Sequence, residues 1–525
     1  MANVLVEESC LSGIASAIRT QNGLNTLYKP SEMMSGINDL KAREAWAIFN
    51  GKLDSKIAGS TVYEVSTSYL KPGAFIGYTA SNYANILRNF NCSNVTSFST
   101  GYFSCFGAGN MAILQYDFAG QFTANVLMSE ITLRSDISRI GDFMFNYCTN
   151  LSKINFTGNG NLLSNIGNFA FTGCSKLSTI DNFPFSTNAS FNHGCLYNTG
   201  IASINLNIGS GTIGVQAFGS CSNLSSVVLV ARNINSQAFA NCGNLTFLSL
   251  SVAGTISSSA FYSCNLSGEI YISGSISNGF QTGAFINSTA ATNTFWLNLP
   301  DYSSTLSNIT GNGCIGISAK KANVINITAN SNLQWVSCDT AISANLGYNS
   351  NLQSVYFSTL SSSGVFTGCS NLTTASLPNY AIISQYAFSS CSALSSINLP
   401  EALTLANYAF AGCTTLANIS LPKAHTFNTG VFRSCHALST ISLPMASVLW
   451  AVVFSYCSKL VSLYLMGSSV CKLSSTASGT FSGCPIYQST VNNNVYGSIY
   501  VPSSLYATYI ASTNWVELSS RFVSI

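Results

Sequence analysis

The side chains that could carry chemistry are few and scattered. There are three histidines, His193, His425 and His436, and none has a partner at a metal-ligand spacing such as HxxxH or HExxH. No GxSxG elbow, phosphate-binding glycine loop or calcium loop occurs. His436 follows Cys435, but that cysteine belongs to a recurring position expected to be buried, where a thiolate would not form. The seventeen acidic residues are dispersed. Paired carboxylates of a glycosidase can meet from distant positions, yet from residue 365 onward, where the repeat is most regular, only Glu401 and Glu517 are present. The expectation is a binding or structural protein with no catalytic residues, metal or cofactor.

Tyrosine is the better candidate for recognition. Tyr271, Tyr356, Tyr464 and Tyr500 each flank an inward apolar residue of a short strand pattern, so they fall in one outward column. An apolar ring with a hydroxyl suits sugar faces and protein patches. Tyrosine also favours strands for purely structural reasons, and both readings of the column stand.

What would position these residues is a repeat. Phe366, Phe388, Phe410, Phe432 and Phe454 follow one another every 22 residues. Cys follows each Phe at +3 (Cys369, Cys391, Cys413, Cys435, Cys457) and Leu at +6 (Leu372, Leu394, Leu416, Leu438, Leu460). Short alternating stretches come next, such as Ile397 and Leu399, Ile419 and Leu421, or Ile441 and Leu443, closed by Pro378, Pro400, Pro422 and Pro444. The alternation is that of a strand with one buried face; proline ends the ladder because it has no backbone donor. Five residues after each proline another apolar residue recurs, as Ile383, Leu405, Phe427 and Leu449. No coil can bury this set alone, so the coils must stack, each column packing on itself.

The same frame opens at Phe145/Cys148, Phe171/Cys174, Phe218/Cys221, Phe239/Cys242 and Phe261/Cys264, and recurs last at Phe481/Cys484. A weaker copy lies at Ala74, Phe75 and Tyr78. Between Phe285 and Phe366 the Phe-Cys pair is lost, although Leu333/Val336/Cys338 and Leu352/Val355/Phe357 keep the strand spacing. This stretch reads as degenerate coils or as a loop-rich insertion. Eleven of the eighteen cysteines occupy the one register after Phe. Stacked coils would bring them about 4.8 Å apart with parallel side chains, which favours buried reduced thiols over disulfides.

At 525 residues the chain is too long for one ordinary core. Charged residues make up only 7%, against about 25% in typical soluble domains, yet no run of about 20 apolar residues occurs. Ser, Thr and Asn must therefore cover the surface. The net charge of +3 arises from residues that never cluster, which argues against nucleic acid as a partner. The opening MANVLVEESC lacks the basic and apolar parts of a secretory signal, so the chain is expected to stay in a reducing cytosol unless released by lysis.

The unit QYAFSSCSALSSINLP resembles the BspA-type leucine-rich repeat. The resemblance implies a leucine-rich repeat solenoid, with a parallel β-sheet on one side and turns and short helical segments on the other, capped at both ends. Repeats of this kind serve in bacterial and protist surface adhesins and in bacteriophage virion proteins. The C-terminal segment, with Ile499, Val501, Pro502, Asn514 and Trp515, is similar to the terminal cap of such proteins.

Residues 5–40 resemble the short N-terminal module of bacteriophage tail-associated proteins. Physically they read as two amphipathic helices, one carrying Leu11, Ile14 and Ile18, the other Met33, Met34, Ile37 and Leu40. Such a module is either a cap alone or a cap that also attaches the protein. The implied organisation is an N-terminal module over 1–45, the solenoid over 46–485 and a cap over 486–525. The implied function is a virion protein, a tail fibre or baseplate-associated appendage, with other tail proteins and a host surface glycan or protein as partners. A bacterial cell-surface adhesin is the alternative and a polysaccharide-degrading enzyme the third reading. Homo-oligomers are compatible with each.

Overall fold

The computed structural model describes residues 139–525 apart from short stretches at 158–159, 275, 277–278, 282, 287–292, 301–304, 308, 310–312 and 489–492, together with the backbone of six short strands between residues 53 and 134. The helices expected within 5–40 and the weak coil at Ala74, Phe75 and Tyr78 lie outside the described residues. The described coils form a parallel β solenoid with few helices. The chain divides into two compact units, Met1–Leu224 and Ser225–Ile525.

In the first unit, Arg139–Ile140, Leu163–Ile166, Phe185–Phe191 and Thr212–Ile213 run parallel, with Ile166 opposite Phe191 and Phe191 opposite Ile213. Phe145 and Phe171 stack with centroids 5.1 Å apart. A coil that lacks the Phe-Cys pair also belongs here. Leu196 takes the Phe position and Thr199 the Cys position, and the Thr199 hydroxyl donates to the Leu196 carbonyl at 3.0 Å.

In the second unit the main sheet runs through Ser226–Ala231, Phe247–Val252, Gly268–Ser273, Phe295–Leu299, Cys314–Asn326, Trp335–Asn345, Ser354–Leu360, Thr374–Ser376 and Ser396–Asn398, every pair parallel. A further sheet joins Thr440–Ser442, Ser462–Tyr464, Ser498–Val501 and Phe522–Ser524. Between the two, the strand expected at Ile419 is not formed. Asn418, Ile419 and Ser420 still alternate out, in and out. Strands of three residues leave little margin, and the bond from Ser439 N–H to the Ala417 carbonyl has lengthened to 3.4 Å.

The far side carries the expected turns, with a short helix at Ala477–Thr480. The apolar residues after each proline form a second parallel ladder of two-residue strands: Ile382–Ile383, Thr404–Leu405, Thr426–Phe427, Val448–Leu449 and Lys472–Leu473. Most of these Phe residues sit in a turn between two left-handed residues, as Tyr386 (φ 57°) and Ser390 (φ 61°) around Phe388, whereas Phe366 and Phe481 have one only on the C-terminal side, Gly368 and Gly483. Left-handed residues interrupt a helix and turn the donors along the stack instead. Phe388 N–H reaches the Ala409 carbonyl and Ser390 N–H the Ala411 carbonyl of the next coil, both at 2.7 Å.

Inside, Phe366, Phe388, Phe410, Phe432, Phe454 and Phe481 form one stack with centroids 4.9–5.7 Å apart. Trp515, fully buried, ends it 6.1 Å from Phe481. Its indole N–H donates to the Cys471 carbonyl at 2.7 Å, so the last coil is closed by a ring with its polar atom satisfied. The described cysteines are buried thiols, not disulfides. Many of the Phe-register thiols donate to the carbonyl of the Phe one coil earlier, as from Cys391 to Phe366 at 3.1 Å and from Cys457 to Phe432 at 3.0 Å; Cys221 and Cys369 donate to Leu196 and Leu346 in the Phe position, and Cys484 to Leu460.

The described part of 285–365 carries the parallel strands Phe295–Leu299, Cys314–Asn326, Trp335–Asn345 and Ser354–Leu360. It contains the two longest strands, of 13 and 11 residues. Ile327 and Leu346 replace Phe, and the buried Asn330 and Asn349 replace Cys. Asn349 Nδ2 donates to the Ile327 carbonyl at 2.6 Å and Asn330 Nδ2 to the Ile309 carbonyl at 2.9 Å. An amide thus fills the thiol's role, in coils shortened to 19 residues.

Candidate binding surface

The main sheet of the second unit presents its outward side chains in rows, one residue per strand. One row contains Val228, Ser249, Tyr271, Asn298, Ser318, Ser337, Tyr356, Ser376 and Asn398. Tyr271 and Tyr356 share this row, as their sequence register implied, and are 40% and 41% exposed. Three rungs, Asn298, Ser318 and Ser337, separate them, so at about 4.8 Å per strand they stand about 19 Å apart. They do not form one patch. Tyr464 and Tyr500 are register partners on the further sheet and stack on each other at 4.4 Å, both half-buried.

A neighbouring row holds Glu269, Trp296, Gly316, Trp335, Ser354, Thr374 and Ser396. Its two tryptophans were not among the residues singled out from sequence. Each stands one position before an inward apolar residue, Leu297 or Val336, which is the flanking rule that picked out the tyrosines; the signal was present. Trp335 lies across Gly316: a Cβ on that glycine would fall 2.0 Å from Trp335 Cε2 and 2.4 Å from Nε1. The absent side chain is what lets the indole lie down on the sheet.

Beside Trp335 and Tyr356 the surface dips into a shallow depression walled by Ser337, Ser354, Ser376 and Asn398. None of its lining residues is charged. Hydroxyls, one amide and two rings can hold an uncharged ligand by many modest contacts.

The residues weighed for catalysis are kept apart. His193 packs on Phe169 at 4.8 Å, His425 meets the Thr426 hydroxyl at 2.9 Å and His436 the Tyr456 carbonyl at 3.0 Å; all three are exposed. Cys435 points inward and donates to the Phe410 carbonyl at 3.2 Å, and burial pushes its thiol well above the usual range. It therefore does not meet the imidazole of His436 as a thiolate. Glu401 is bonded by Lys423 at 2.6 and 2.7 Å, and Asn298 Nδ2 donates to Glu269 at 2.5 Å. Among the described residues no group of three His, Cys, Asp or Glu could hold a metal ion. No helix among them is long and apolar enough to cross a membrane.

The sequence matches the family described as BspA type Leucine rich repeat region in six copies, over residues 118–228, 189–309, 340–461 and 381–500. No curated protein matches. Among solved structures the chain is similar to a leucine-rich repeat protein from Bacteroides ovatus, at 17% identity over 78% of this chain and 88% of that one, with a TM-score of 0.29. It is similar to a leucine rich cell surface protein from Faecalibacterium prausnitzii at 14% identity, covering 79% and 89%, with a TM-score of 0.25. The pneumococcal vaccine antigen PcpA gives 12% identity over 89% and 93%, with a TM-score of 0.20. Residues 5–40, whose likeness to tail proteins implied a virion role, lie outside the family match, and nothing in these comparisons supports that role. By its repeats, which cover more than half of its length, this chain belongs to the BspA-type leucine-rich repeat family.

Proposed function

We propose that this protein is an adhesin-like binding protein of a bacterial cell surface, and that it presents the outward face of its main sheet to its partner. The observation that supports this most is the make-up of that face: aromatic rings at Tyr271, Trp296, Trp335 and Tyr356 set mainly among Ser, Thr and Asn in the neighbouring rungs, with Glu269 beside Trp296. Rings of this kind supply contact area at low entropic cost, and small hydroxyls adapt their hydrogen bonds. Membership of a repeat family that includes bacterial surface adhesins points the same way. With charged residues at 7%, long-range steering is weak, so adhesion should depend on many short-range contacts and several copies acting together.

The test is localisation with adhesion. Antibody against the solenoid should label intact producing bacteria, and beads carrying the protein should adhere to a mucin-coated or epithelial surface. Adhesion should persist from about 0.05 to 0.5 M salt, where the Debye length falls severalfold. Label confined to purified phage particles would overturn the reading in favour of a tail protein.

A further inference from the structure

The depression beside Trp335 permits a narrower statement, which rests on the reading of the sheet face as a binding surface. We infer that Trp335 and Tyr356, with the hydroxyl and amide groups around them, form a subsite for an uncharged glycan, one pyranose ring of which stacks on the Trp335 indole.

Three observations carry it. The first is the posture of the indole. A tryptophan standing upright on a sheet offers an edge, but Trp335 lies across Gly316 and is half-exposed. The faces of a pyranose that carry several axial C–H bonds are apolar and slightly positive. They match the negative face of an indole.

The second is the neighbourhood. Ser337, Ser354, Ser376 and Asn398 line the depression with hydroxyl groups and an amide, each able to donate and to accept. Sugar hydroxyls need both. A phosphorylated or carboxylated ligand would call for Arg or Lys, which are the groups that bind such anions, and the lining carries no charge of either sign. The third is spacing. Trp335 is the register partner of Ser354, Ser354 of Thr374 and Thr374 of Ser396. One outward polar group thus appears at every strand, about 4.8 Å apart, close to the length of one sugar unit. A chain of hexoses laid across the strands would meet a new hydroxyl at each ring.

The full-length protein is titrated with neutral gluco-, manno- and galacto-hexaose and, in parallel, with polygalacturonate, following tryptophan emission and heat. At least one neutral hexaose should bind with a change in emission and little dependence on salt. Trp335→Ala should weaken this binding by at least about tenfold. Gly316→Ala should do the same without removing any ring, because the new methyl group occupies the space of the indole. A circular-dichroism melt identifies any variant that fails to fold, and Trp335→Ala, which changes a half-exposed side chain, keeps the test independent of Gly316. The inference is overturned if no neutral hexaose binds, if only polygalacturonate binds, or if folded Trp335→Ala binds as well as the wild type. Should bead adhesion survive while every hexaose fails, the glycan assignment falls and the adhesive reading stands; loss of both removes both.

Discussion

The thiol of Cys413 donates to the carbonyl oxygen of Phe388, 25 residues earlier, at 3.2 Å. The same oxygen also accepts the Cys391 N–H at 3.1 Å. Two lone pairs therefore receive one donor from the same coil and one from the next, and the contact repeats along the Phe column. Cys suits the position because it is small, apolar and still a weak donor.

Asn349 fills this position with a stronger and more demanding group. Its Nδ2 donates to the carbonyls of Ile327 at 2.6 Å and Leu346 at 2.7 Å, while its Oδ1 accepts the Asn330 N–H at 2.7 Å. Asn349→Ala would leave a buried donor and two acceptors short of partners. It is expected to cost about 3 kcal/mol, against about 1 kcal/mol for Cys413→Ala. Urea unfolding of the two variants checks the order, and equal losses would show that the amide is not the tie between these coils.

Phe410 is fully buried between Phe388 at 5.3 Å and Phe432 at 5.6 Å. Phe410→Ala should cost about 3–5 kcal/mol, because stacked coils above and below cannot collapse into the cavity. A loss under about 1 kcal/mol in the same unfolding measurement would deny the column its place in the core.

The thiols set an alkaline limit. Burial pushes the thiols of Cys264, Cys369 and Cys484 up to about 12, from an unfolded value of 9.0. The folded state thus holds protons that the unfolded chain releases. Their contribution is whole below pH 9.0 and is lost as the pH rises towards about 12, by about 1.4 kcal/mol per thiol per pH unit. The melting temperature should be level from pH 7 to 8.5 and fall steeply above about 9. Iodoacetamide should label few native thiols at pH 8; rapid labelling of most would contradict their burial.

Gly430 has φ +67°, and a Cβ there would fall 2.4 Å from Tyr408 Cε1. Gly430→Ala meets both strain and clash and should destabilise by about 1–3 kcal/mol. Adding Tyr408→Ser should recover the steric part and leave the cost of the left-handed backbone. Gly243→Ala, where the added carbon meets nothing within 4 Å, serves as the control and should be close to neutral in thermal melts.

The stacking direction, the strand alternation and the Phe and Cys columns were legible because identical coils repeat one physical need every 22 residues. The ladder at Ile383, Leu405, Phe427 and Leu449 was legible as a column but not as strands, since two residues are too few to show a period of two. Asn330 and Asn349 were hidden because the coil shortens to 19 residues and the donor changes from thiol to amide, so neither spacing nor residue type matched. Of the candidate surface, the shared row of Tyr271 and Tyr356 could be read. The posture of Trp335 could not, for it depends on Gly316 in the adjacent coil, and that pairing exists only once the register across shortened coils is known.

The most direct measurement compares bead adhesion of the protein carrying Tyr271→Ser, Trp335→Ala and Tyr356→Ser with that of a protein altered on the turn side at Tyr386→Ser and Tyr408→Ser, where two rings also stack, at 5.4 Å. Both variants should melt as the wild type does. Adhesion should fall by about tenfold or more for the sheet-face variant and stay unchanged for the turn-side variant. Full adhesion of a folded sheet-face variant, with loss in the turn-side one, would contradict the assignment of the main sheet as the recognition surface.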